Sequence, residues 1–263
     1  MQKISSKTSI AVVCHSQQRQ QQVNDFCQLH KLPFLKSKNE KYDLQLIFHD
    51  DLTELYDRHL DTCISIDFIK GNLAHRQQFG GGRGQSIAKA IGLKSGKTPK
   101  VLDATAGLAG DAFVLATLGC SMTLIERSPI IFALIENAVE RASLNDNFTP
   151  MLEQGFEIIN QDAIDYIAEN ITNKASAPDV IYIDPMYPDR KKSALVKKDM
   201  QILQHLHDRD DKSSELLECA LQYAKKRVVV KRPVQAETLN SRKPNTCIKS
   251  KKTRYDIYTI EKM

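Results

Sequence analysis

The chain has 263 residues, of which 41% are apolar and 26% charged, with a formal net charge of +5, and it is long enough to bury one large core, or one large and one small domain. Met1 to Ser9 is polar and no apolar run reaches membrane length, which argues against a secretory signal or a membrane span and predicts a cytoplasmic protein. The six cysteines include no Cys-x-x-Cys pair, so neither a disulfide framework nor a metal site is indicated, and mostly buried thiols are expected.

The first part of the chain predicts a small α/β lobe. A helix is indicated by the helical spacing of Val23, Phe26, Cys27 and His30. The candidate strands of this lobe are Ile10–Cys14, Leu44–Phe48 and Ile64–Ile69. We expect this lobe to cover residues 1–72 and a larger domain to cover residues 73–263.

A glycine-rich stretch, Gly80–Gly84, precedes a helix that is expected to begin near Gln85. One interpretation is a flexible linker between the two units. The other is a loop that covers a cofactor or a substrate.

The next segment, Asp103–Asp111, reads DATAGLAGD and forms a glycine turn between a strand ending at Leu102 and a helical run over Ala112–Leu118. Gly107 and Gly110 permit close backbone approach, and the free amides at the helix start can face a polar ligand. The turn lacks the Gly-x-Gly-x-x-Gly spacing and the Lys-Ser/Thr ending of a P-loop. A nicotinamide or flavin enzyme and a P-loop protein are therefore disfavoured.

Glu126 ends the next predicted strand, Met122–Ile125, at the position where an acid commonly binds a ribose diol in doubly wound sheets. The alternative is a solvated acid that pairs with Arg127. Ser128 and Pro129 then supply an N-cap and a first-turn proline for a new helix.

The alternation of strand and helix continues toward the end of the chain. Asp162 follows a third strand, and a helix is expected over Ala163–Asn170. The remaining strands are Glu157–Asn160, a fourth that ends at Asp184, Lys226–Val230 as a fifth, and Arg254–Ile260 as a late antiparallel strand. This alternation predicts a doubly wound, mostly parallel sheet with its ligands at the carboxyl ends of the strands.

The stretch Val180–Pro188 reads VIYIDPMYP, which is a short apolar strand that runs into an acid, a rigid proline and an aromatic residue. The carboxylate of Asp184 and the backbone carbonyl of Pro185 can accept the hydrogens of an amine, while Tyr187 stacks on a flat ring. The alternative is a strand that stops at a proline turn, with Tyr187 as ordinary packing.

The positive charge is concentrated in one part of the chain. Lys225 to Arg254 contains eleven Lys or Arg residues and one acid, Glu237, so this segment carries +10 and the rest of the chain −5. A smaller basic group follows the Asp184 loop and consists of Arg190, Lys191, Lys192, Lys197 and Lys198. Each run alone is typical of a solvated face, but two runs around one pocket predict RNA binding through phosphates.

These segments together resemble the RsmJ family of S-adenosylmethionine-dependent methyltransferases, which methylates the N2 amine of a guanine in 16S ribosomal RNA. The resemblance covers the last two thirds of the chain and includes GGGRGQSIAKAIG from Gly80, DATAGLAGDAFVLATLGC, IERSP, DPMYP, SALVKK from Ser193, RVVVKRP from Arg227 and RYDIY from Arg254. It implies a Rossmann-like class I methyltransferase fold. Because it includes Gly80–Gly84, a covering loop is favoured there.

The resemblance also implies site residues. Cofactor contacts are expected from Gly110, Asp111, Glu126, Arg127, Asp162, Ala163 and Asp184, in addition to the glycine-turn positions Asp103 and Gly107. Family members often carry Gly-Arg-Asp where this chain has Ala109, Gly110 and Asp111, so an arginine contact is missing. The catalytic residues are expected to be Asp184, Pro185 and Tyr187.

The expected partner is 16S rRNA or the small ribosomal subunit, with no metal and no obligate protein partner implied. RNA contacts are expected from the basic group after Asp184 and from Lys231, Arg232, Lys249, Lys251 and Lys252. Two alternatives remain open. One is an adenine-N6 methyltransferase, because the same loop chemistry serves any exocyclic amine, and the other is an RNA-binding protein that keeps the fold without catalysis.

Overall fold

A computed structural model describes residues 8–70, 82–94, 96–185, 198–206 and 212–263. Within these ranges the strands form a five-stranded sheet of order β2-β1-β3-β4-β5 and a seven-stranded sheet of order β11-β12-β10-β9-β6-β7-β8, whose bounds follow. In the described part of the chain, no helix has the length and apolar character needed to cross a membrane.

The amino-terminal sheet contains two of the three expected strands and three that were not expected. Its strands are β1 Ile10–Cys14, β2 Phe34–Leu35, β3 Leu44–Phe48, β4 Thr53–Asp57 and β5 Thr62–Ile64. Strand β1 pairs in parallel with β2 and β3, while β4 is antiparallel to both β3 and β5. The expected helix is present as α1, Gln20–His30, and buries Val23 and Cys27.

The predicted strand over Ile64–Ile69 is wrong beyond its first residue. The chain turns there because the Asp67 carboxylate accepts hydrogen bonds from the backbone N–H groups of Ile69 and Lys70, at 2.8 and 2.9 Å. Ile66 and Phe68 are buried side chains of this irregular segment, so their alternation reflects packing rather than strand pairing.

The larger sheet carries helices between most of its strands. Its elements are α2 Ser86–Ala90, β6 Lys100–Asp103, α3 Gly110–Thr117, β7 Ser121–Ile125, α4 Pro129–Ser143, α5 Thr149–Glu153, β8 Phe156–Ile159, α6 Ala163–Asn170, β9 Val180–Ile183, α7 Lys198–Leu206, α8 Ser213–Tyr223, β10 Arg227–Pro233, β11 Thr246–Lys249 and β12 Thr253–Thr259. Strands β8, β7, β6, β9 and β10 are parallel neighbours, and β12 and β11 are added antiparallel.

Successive residues of the central strands enter different cores. On β9, Val180 and Tyr182 belong to one apolar cluster, whereas Ile181 and Ile183 belong to the cluster on the other face. Since side chains alternate across a strand, this division means that both faces of the sheet are covered. The predicted doubly wound, mostly parallel sheet is confirmed.

The amino-terminal sheet shares a core with the larger one. Phe68 stacks on Phe113 of α3, with ring centroids 4.6 Å apart, and both are buried in the same cluster. The Asn137 side chain of α4 accepts a hydrogen bond from the Thr53 N–H at 2.9 Å and donates one to the Asp51 carbonyl at 3.1 Å. The boundary at residue 72 stays a prediction, and residues 71–81 lie outside the described ranges.

The expectation of mostly buried cysteines is wrong, because two of the six are buried, two are partly buried and two are exposed. All six are free thiols, and Cys27 and Cys120 are buried. Cys63 and Cys247 are exposed because they lie on outward positions of β5 and of the edge strand β11. The expected glycine-rich loop is described from Gly82, where residues 82–84 form a short 3₁₀ turn, while Gly80 and Gly81 lie outside the described part.

Candidate functional site

The carboxyl ends of five parallel strands bring the candidate residues to one edge of the sheet. Asp103 is the last residue of β6, while Glu126 directly follows β7 and Asp184 directly follows β9. Asp162 lies just beyond β8, and Lys231 lies near the end of β10. Because the strands are parallel, these acids and one lysine share a single edge, as the sequence predicted.

The glycine turn after β6 has the tight geometry that its sequence indicates. The backbone N–H of Thr105 bonds the Asp103 carboxylate at 3.1 Å. Gly107 has φ +52°, and Ala109 has φ 56° just before α3 begins. Glycine adopts such a backbone without steric cost, whereas Ala109 adopts it with its methyl group fully buried. The turn is therefore held by packing as well as by glycine.

Glu126 is a buried acid whose carboxylate is fixed by backbone donors. It is 5% exposed, and its two oxygens accept hydrogen bonds from the N–H of Gly107, at 3.0 Å, and of Ser128, at 2.8 Å. Burial raises the pKa of Glu126 to about 7, against the lowering effect of these bonds. The alternative of a solvated acid is wrong, and Arg127 itself is exposed.

The ends of β7 and β8 are tied together beside this carboxylate. The Asn160 side-chain amide donates to the Glu126 carbonyl at 2.7 Å. Asp162 is the N-cap of α6, and its carboxylate accepts from the Ile164 N–H at 2.9 Å. This cap leaves the start of α6, with Ala163, at the same edge as Glu126.

Lys231 joins two of the candidate acids. Its ammonium lies 2.8 Å from Asp111 Oδ2 and 2.8 Å from Asp184 Oδ2. The Tyr182 hydroxyl donates to the same Asp111 oxygen at 2.7 Å. The Asp184 N–H, in turn, donates to the Thr105 hydroxyl at 2.7 Å, which ties the end of β9 to the glycine turn.

Strand register explains why Lys231 meets Asp184. Val230 of β10 is paired with Ile183 of β9, so the next residues of the two strands lie side by side. The two strands are parallel and adjacent, and the pair stands at their common carboxyl end. The Asp184 side chain is 37% exposed, so this pair faces the open side of the site.

The charges at this edge shift one another's proton affinity. Burial, together with the charges of Asp111 and Asp184, raises the pKa of Asp103 to about 8, against the lowering effect of the hydrogen bond from the Thr105 N–H. Burial also raises the pKa of Asp184, while the Lys231 ammonium opposes that rise. Desolvation lowers the pKa of Lys231, but Asp184 and Asp111 together raise it well above its ordinary value, so Lys231 stays charged.

Two of the predicted RNA contacts have other partners. Arg232 is 8% exposed, and its guanidinium donates twice to the Glu237 carbonyl, at 3.2 and 3.0 Å. This buried placement differs from the expected phosphate contact, because Arg232 points into the turn that follows β10. Lys231 differs as well, since its ammonium is held by the two carboxylates of the site.

The lysines near the end of the +10 segment lie at the tip of a β-hairpin formed by β11 and β12. Pro233 of β10 is paired with Thr253 of β12, so the connection between β11 and β12 lies at the carboxyl end of β10. Lys249, Lys251 and Lys252 are exposed there, at the same edge as Asp184. The start of the segment is elsewhere, because Lys226 pairs with Asp179 at the opposite edge.

Some of the predicted site residues lie outside the described ranges. They are Tyr187, Arg190, Lys191, Lys192 and Lys197. Pro185 is described and half-buried next to Asp184, and Lys198 is exposed at the start of α7.

Two side chains that hold the site together, Thr105 and Tyr182, were not predicted from the sequence. Thr105 has a weak sequence signal, since a hydroxyl group within DATAGLAGD can form a hydrogen bond with the end of a neighbouring strand. Tyr182 has a clearer sequence signal, because it is the one residue of the VIYI strand with a hydroxyl group. It precedes Asp184 by two residues, so the two side chains point to the same face of the strand.

Known proteins resemble the chain over most of its length. The family described as "Putative SAM-dependent methyltransferase" matches residues 26–260. A protein of Shewanella amazonensis named ribosomal RNA small subunit methyltransferase J is 47% identical over 222 residues, covering 84% of this chain and 88% of that protein. Proteins of the same name from Aeromonas salmonicida and Haemophilus influenzae are 48% and 46% identical and cover 82% and 84% of this chain, and 86% and 85% of their own lengths.

A solved structure is similar over nearly the whole chain. The crystal structure of a SAM-dependent methyltransferase from Neisseria gonorrhoeae has a TM-score of 0.75 and 28% sequence identity, and the match covers 95% of both chains. The similarity therefore includes the amino-terminal sheet as well as the larger one.

Proposed function

Because the chain belongs to the ribosomal RNA small subunit methyltransferase J family and is an S-adenosylmethionine-dependent methyltransferase, we propose that it methylates the exocyclic N2 amine of a guanine in 16S rRNA. The observation that carries this proposal is the Asp184 carboxylate, which stands half-exposed at the end of β9, with its backbone bonded to Thr105 and its side chain to Lys231. Resemblance to the family supplies the choice of guanine N2.

The residues at the sheet edge fit S-adenosylmethionine. A nucleoside with a diol and an amino acid tail offers several hydroxyl and amine donors, and this edge offers carboxylate acceptors. Each Glu126 oxygen accepts one backbone bond and keeps a second lone pair that can receive a ribose hydroxyl. The start of α6, where Asp162 is partly exposed and Ala163 is buried, and the glycine turn supply backbone groups for the rest of the ligand.

Once bound, S-adenosylmethionine supplies an activated methyl group on a positively charged sulfur. The N2 amine of guanine is a weak nucleophile, because its lone pair is delocalised into the ring. The protein must therefore hold this nitrogen in line with the bond between the methyl carbon and sulfur. Asp184 and the Pro185 carbonyl are the proposed acceptors of the amine hydrogens. Tyr187, outside the described ranges, is proposed to stack on the base.

The hairpin tip supports an RNA substrate. Lys249, Lys251 and Lys252 are exposed at the carboxyl end of β10, on the same edge as Asp184. Lysines at this hairpin tip can contact phosphates of the RNA strand that presents the base, and such contacts carry no base preference. Selection of the guanine is then left to the pocket and to RNA shape.

The proposal is tested by replacing Asp184 with alanine and measuring methyl transfer to small-subunit rRNA. Asp184→Ala should lower turnover by about 100-fold or more, because it removes a charged acceptor for the amine. Asp184→Asn should be milder, and RNA affinity should stay within a few-fold. Nucleoside analysis of the product should show N2-methylguanosine, whereas N6-methyladenosine would favour the adenine alternative.

A matched control flanks the same strand at its other end. Asp179 directly precedes β9 at the opposite edge and pairs with Lys226, so Asp179→Ala removes an acid without touching the site. Its methyl transfer should stay within a few-fold of the wild type. Near-normal turnover by Asp184→Ala would show that this loop is not the active site.

A further inference from the structure

We propose that Lys231 is a positioning residue for methyl transfer, which holds Asp184 ionised and oriented through Oδ2 so that the other carboxylate oxygen can receive the target amine. This inference rests on the proposed function above. It differs from the phosphate contact expected from the sequence, because it gives Lys231 a role inside the pocket.

The first argument is geometric. Lys231 Nζ is equidistant, at 2.8 Å, from one oxygen of Asp111 and one oxygen of Asp184. Its side chain is 27% exposed and that of Asp111 is 10% exposed, so this half of the bridge is largely removed from water, whereas Asp184, at 37%, faces the open side of the site. An ammonium has three donors, and two of them are committed to this bridge. A phosphate would have to displace two carboxylates in order to bind Lys231.

The second argument concerns the charges that surround Asp184. Asp103 from β6 and Asp111 from α3 are the neighbouring acids, and Tyr182 from β9 adds a hydroxyl that bonds Asp111. From β12, Tyr255 is paired across the sheet with Lys231. Removing the ammonium would leave Asp184 half-buried among acids, a setting that favours the protonated carboxyl.

The third argument is chemical. In the transfer, the N2 lone pair forms the new N–C bond while the C–S bond breaks and its electron pair stays on sulfur. The amine then carries a surplus proton, which passes to the Asp184 carboxylate and from there to water. Only the ionised form of Asp184 can accept this proton, and the neighbouring Lys231 ammonium favours that form.

The test compares kcat against pH for the wild type, Lys231→Met and Lys231→Arg at saturating cofactor and rRNA. Methionine keeps the length of the side chain and removes the charge, whereas arginine keeps the charge. Lys231→Met should move the acid limb of kcat upward by about one pH unit or more and lower kcat about tenfold at pH 7. Its activity should recover at high pH, and Lys231→Arg should keep the wild-type midpoint.

The control is Lys249→Met, which removes a lysine from the hairpin tip and should raise KM for RNA without moving the pH midpoint. Calorimetric titration with S-adenosylhomocysteine checks that each variant is folded. A Lys231→Met loss that is equal at every pH, or a midpoint shift in Lys231→Arg as large as in Lys231→Met, overturns the inference. A wild type that forms no methylguanosine contradicts the proposed function instead, whereas an active wild type with an unshifted Lys231→Met contradicts only the role of Lys231.

Discussion

Glu126 shows how a single buried acid can make cofactor binding depend on pH. Its carboxylate is fixed by two backbone N–H groups, yet burial keeps its pKa at about 7. A ribose hydroxyl donates to the ionised carboxylate, so protonation removes an acceptor from the ligand. Cofactor affinity should therefore fall as the pH drops through 7.

The prediction concerns the dissociation constant of S-adenosylhomocysteine, measured by calorimetry at pH 6, 7 and 8. For the wild type, this constant should rise about tenfold between pH 8 and pH 6, since each pH unit below the pKa costs up to a factor of ten. Glu126→Gln should bind more weakly at pH 8 and lack this rise. Because both proteins bind the same ligand, its own titration cancels in the comparison, and parallel curves would contradict the role of Glu126.

Arg232 shows that the net charge of a segment does not tell which of its charged side chains can contact RNA. It stands in a segment of net charge +10, but its guanidinium is buried and donates to the Glu237 carbonyl. A sequence pattern counts charges and does not show which of them turn inward. On β10, alternation sends Lys231 and Arg232 to opposite faces of the sheet, so one reaches the pocket and the other a turn.

The β11–β12 hairpin is the proposed RNA contact. Its tip carries Lys249, Lys251 and Lys252 and is closed by the Ser250 N–H, which donates to the Thr253 carbonyl at 2.7 Å. The lysines are exposed, and the backbone bonds that form the hairpin do not use their side chains. Their charge can therefore be removed without unfolding the element.

The triple substitution Lys249→Gln, Lys251→Gln and Lys252→Gln should raise KM for rRNA and flatten its salt dependence. The slope of log affinity against log salt should fall by about 0.7 to 0.9 for each lost phosphate contact. Affinity for the cofactor should not change. A control triple at Lys36, Lys38 and Lys41, which are exposed on the amino-terminal lobe, should leave the salt slope as it is. Equal slopes for wild type and the hairpin variant would mean that this tip does not contact RNA.

The elements that the sequence predicted correctly are those with strong local signals. Helix α4 begins where Ser128 and Pro129 indicated, with the Ser128 hydroxyl accepting from the Ile131 N–H. Strand β4 was missed because Thr53 and Asp57 occupy its buried face, so apolar alternation is absent. Edge strand β11 was missed because it is short and three of its four residues are exposed, so it has no buried apolar face.

The site was predictable in its parts but not in its pairings. That Asp103, Glu126 and Asp184 end parallel strands follows from motif and alternation alone. That Lys231 bonds Asp184 depends on β10 being the neighbour of β9 and on the match of Val230 with Ile183. Neighbours and register are set by packing between elements distant in sequence, so they could not be obtained from local patterns.

A buried amide on helix α4 bonds directly to the amino-terminal sheet. Asn137 Oδ1 accepts from the Thr53 N–H and from Arg141, while its Nδ2 donates to the Asp51 carbonyl. The stacked rings of Phe68 and Phe113 belong to the core that the two sheets share. Because the two sheets share a core, we expect them to unfold in one cooperative transition.

Asn137→Ala should lower the free energy of unfolding by about 1 to 3 kcal/mol, because it leaves the buried Thr53 N–H and the partly buried Asp51 carbonyl without their hydrogen bonds. Urea denaturation followed by circular dichroism measures this change. Asn147→Ala, at an exposed position in the turn after α4, should change stability by less than about 0.5 kcal/mol. Equal urea midpoints for the two variants would show that Asn137 does not stabilise the contact between the amino-terminal sheet and helix α4.

The position of β10 in the sheet has a consequence for folding. Strand β10 lies between β9 and β12, and nineteen residues separate its last residue, Pro233, from the first residue of β12, Thr253. Before β12 pairs with β10, the three valines Val228, Val229 and Val230 lie on an unpaired strand with free backbone donors and acceptors. A folding intermediate in which β9 and β10 have paired but β12 has not therefore exposes a strand prone to aggregation, and the pairing of β12 covers it.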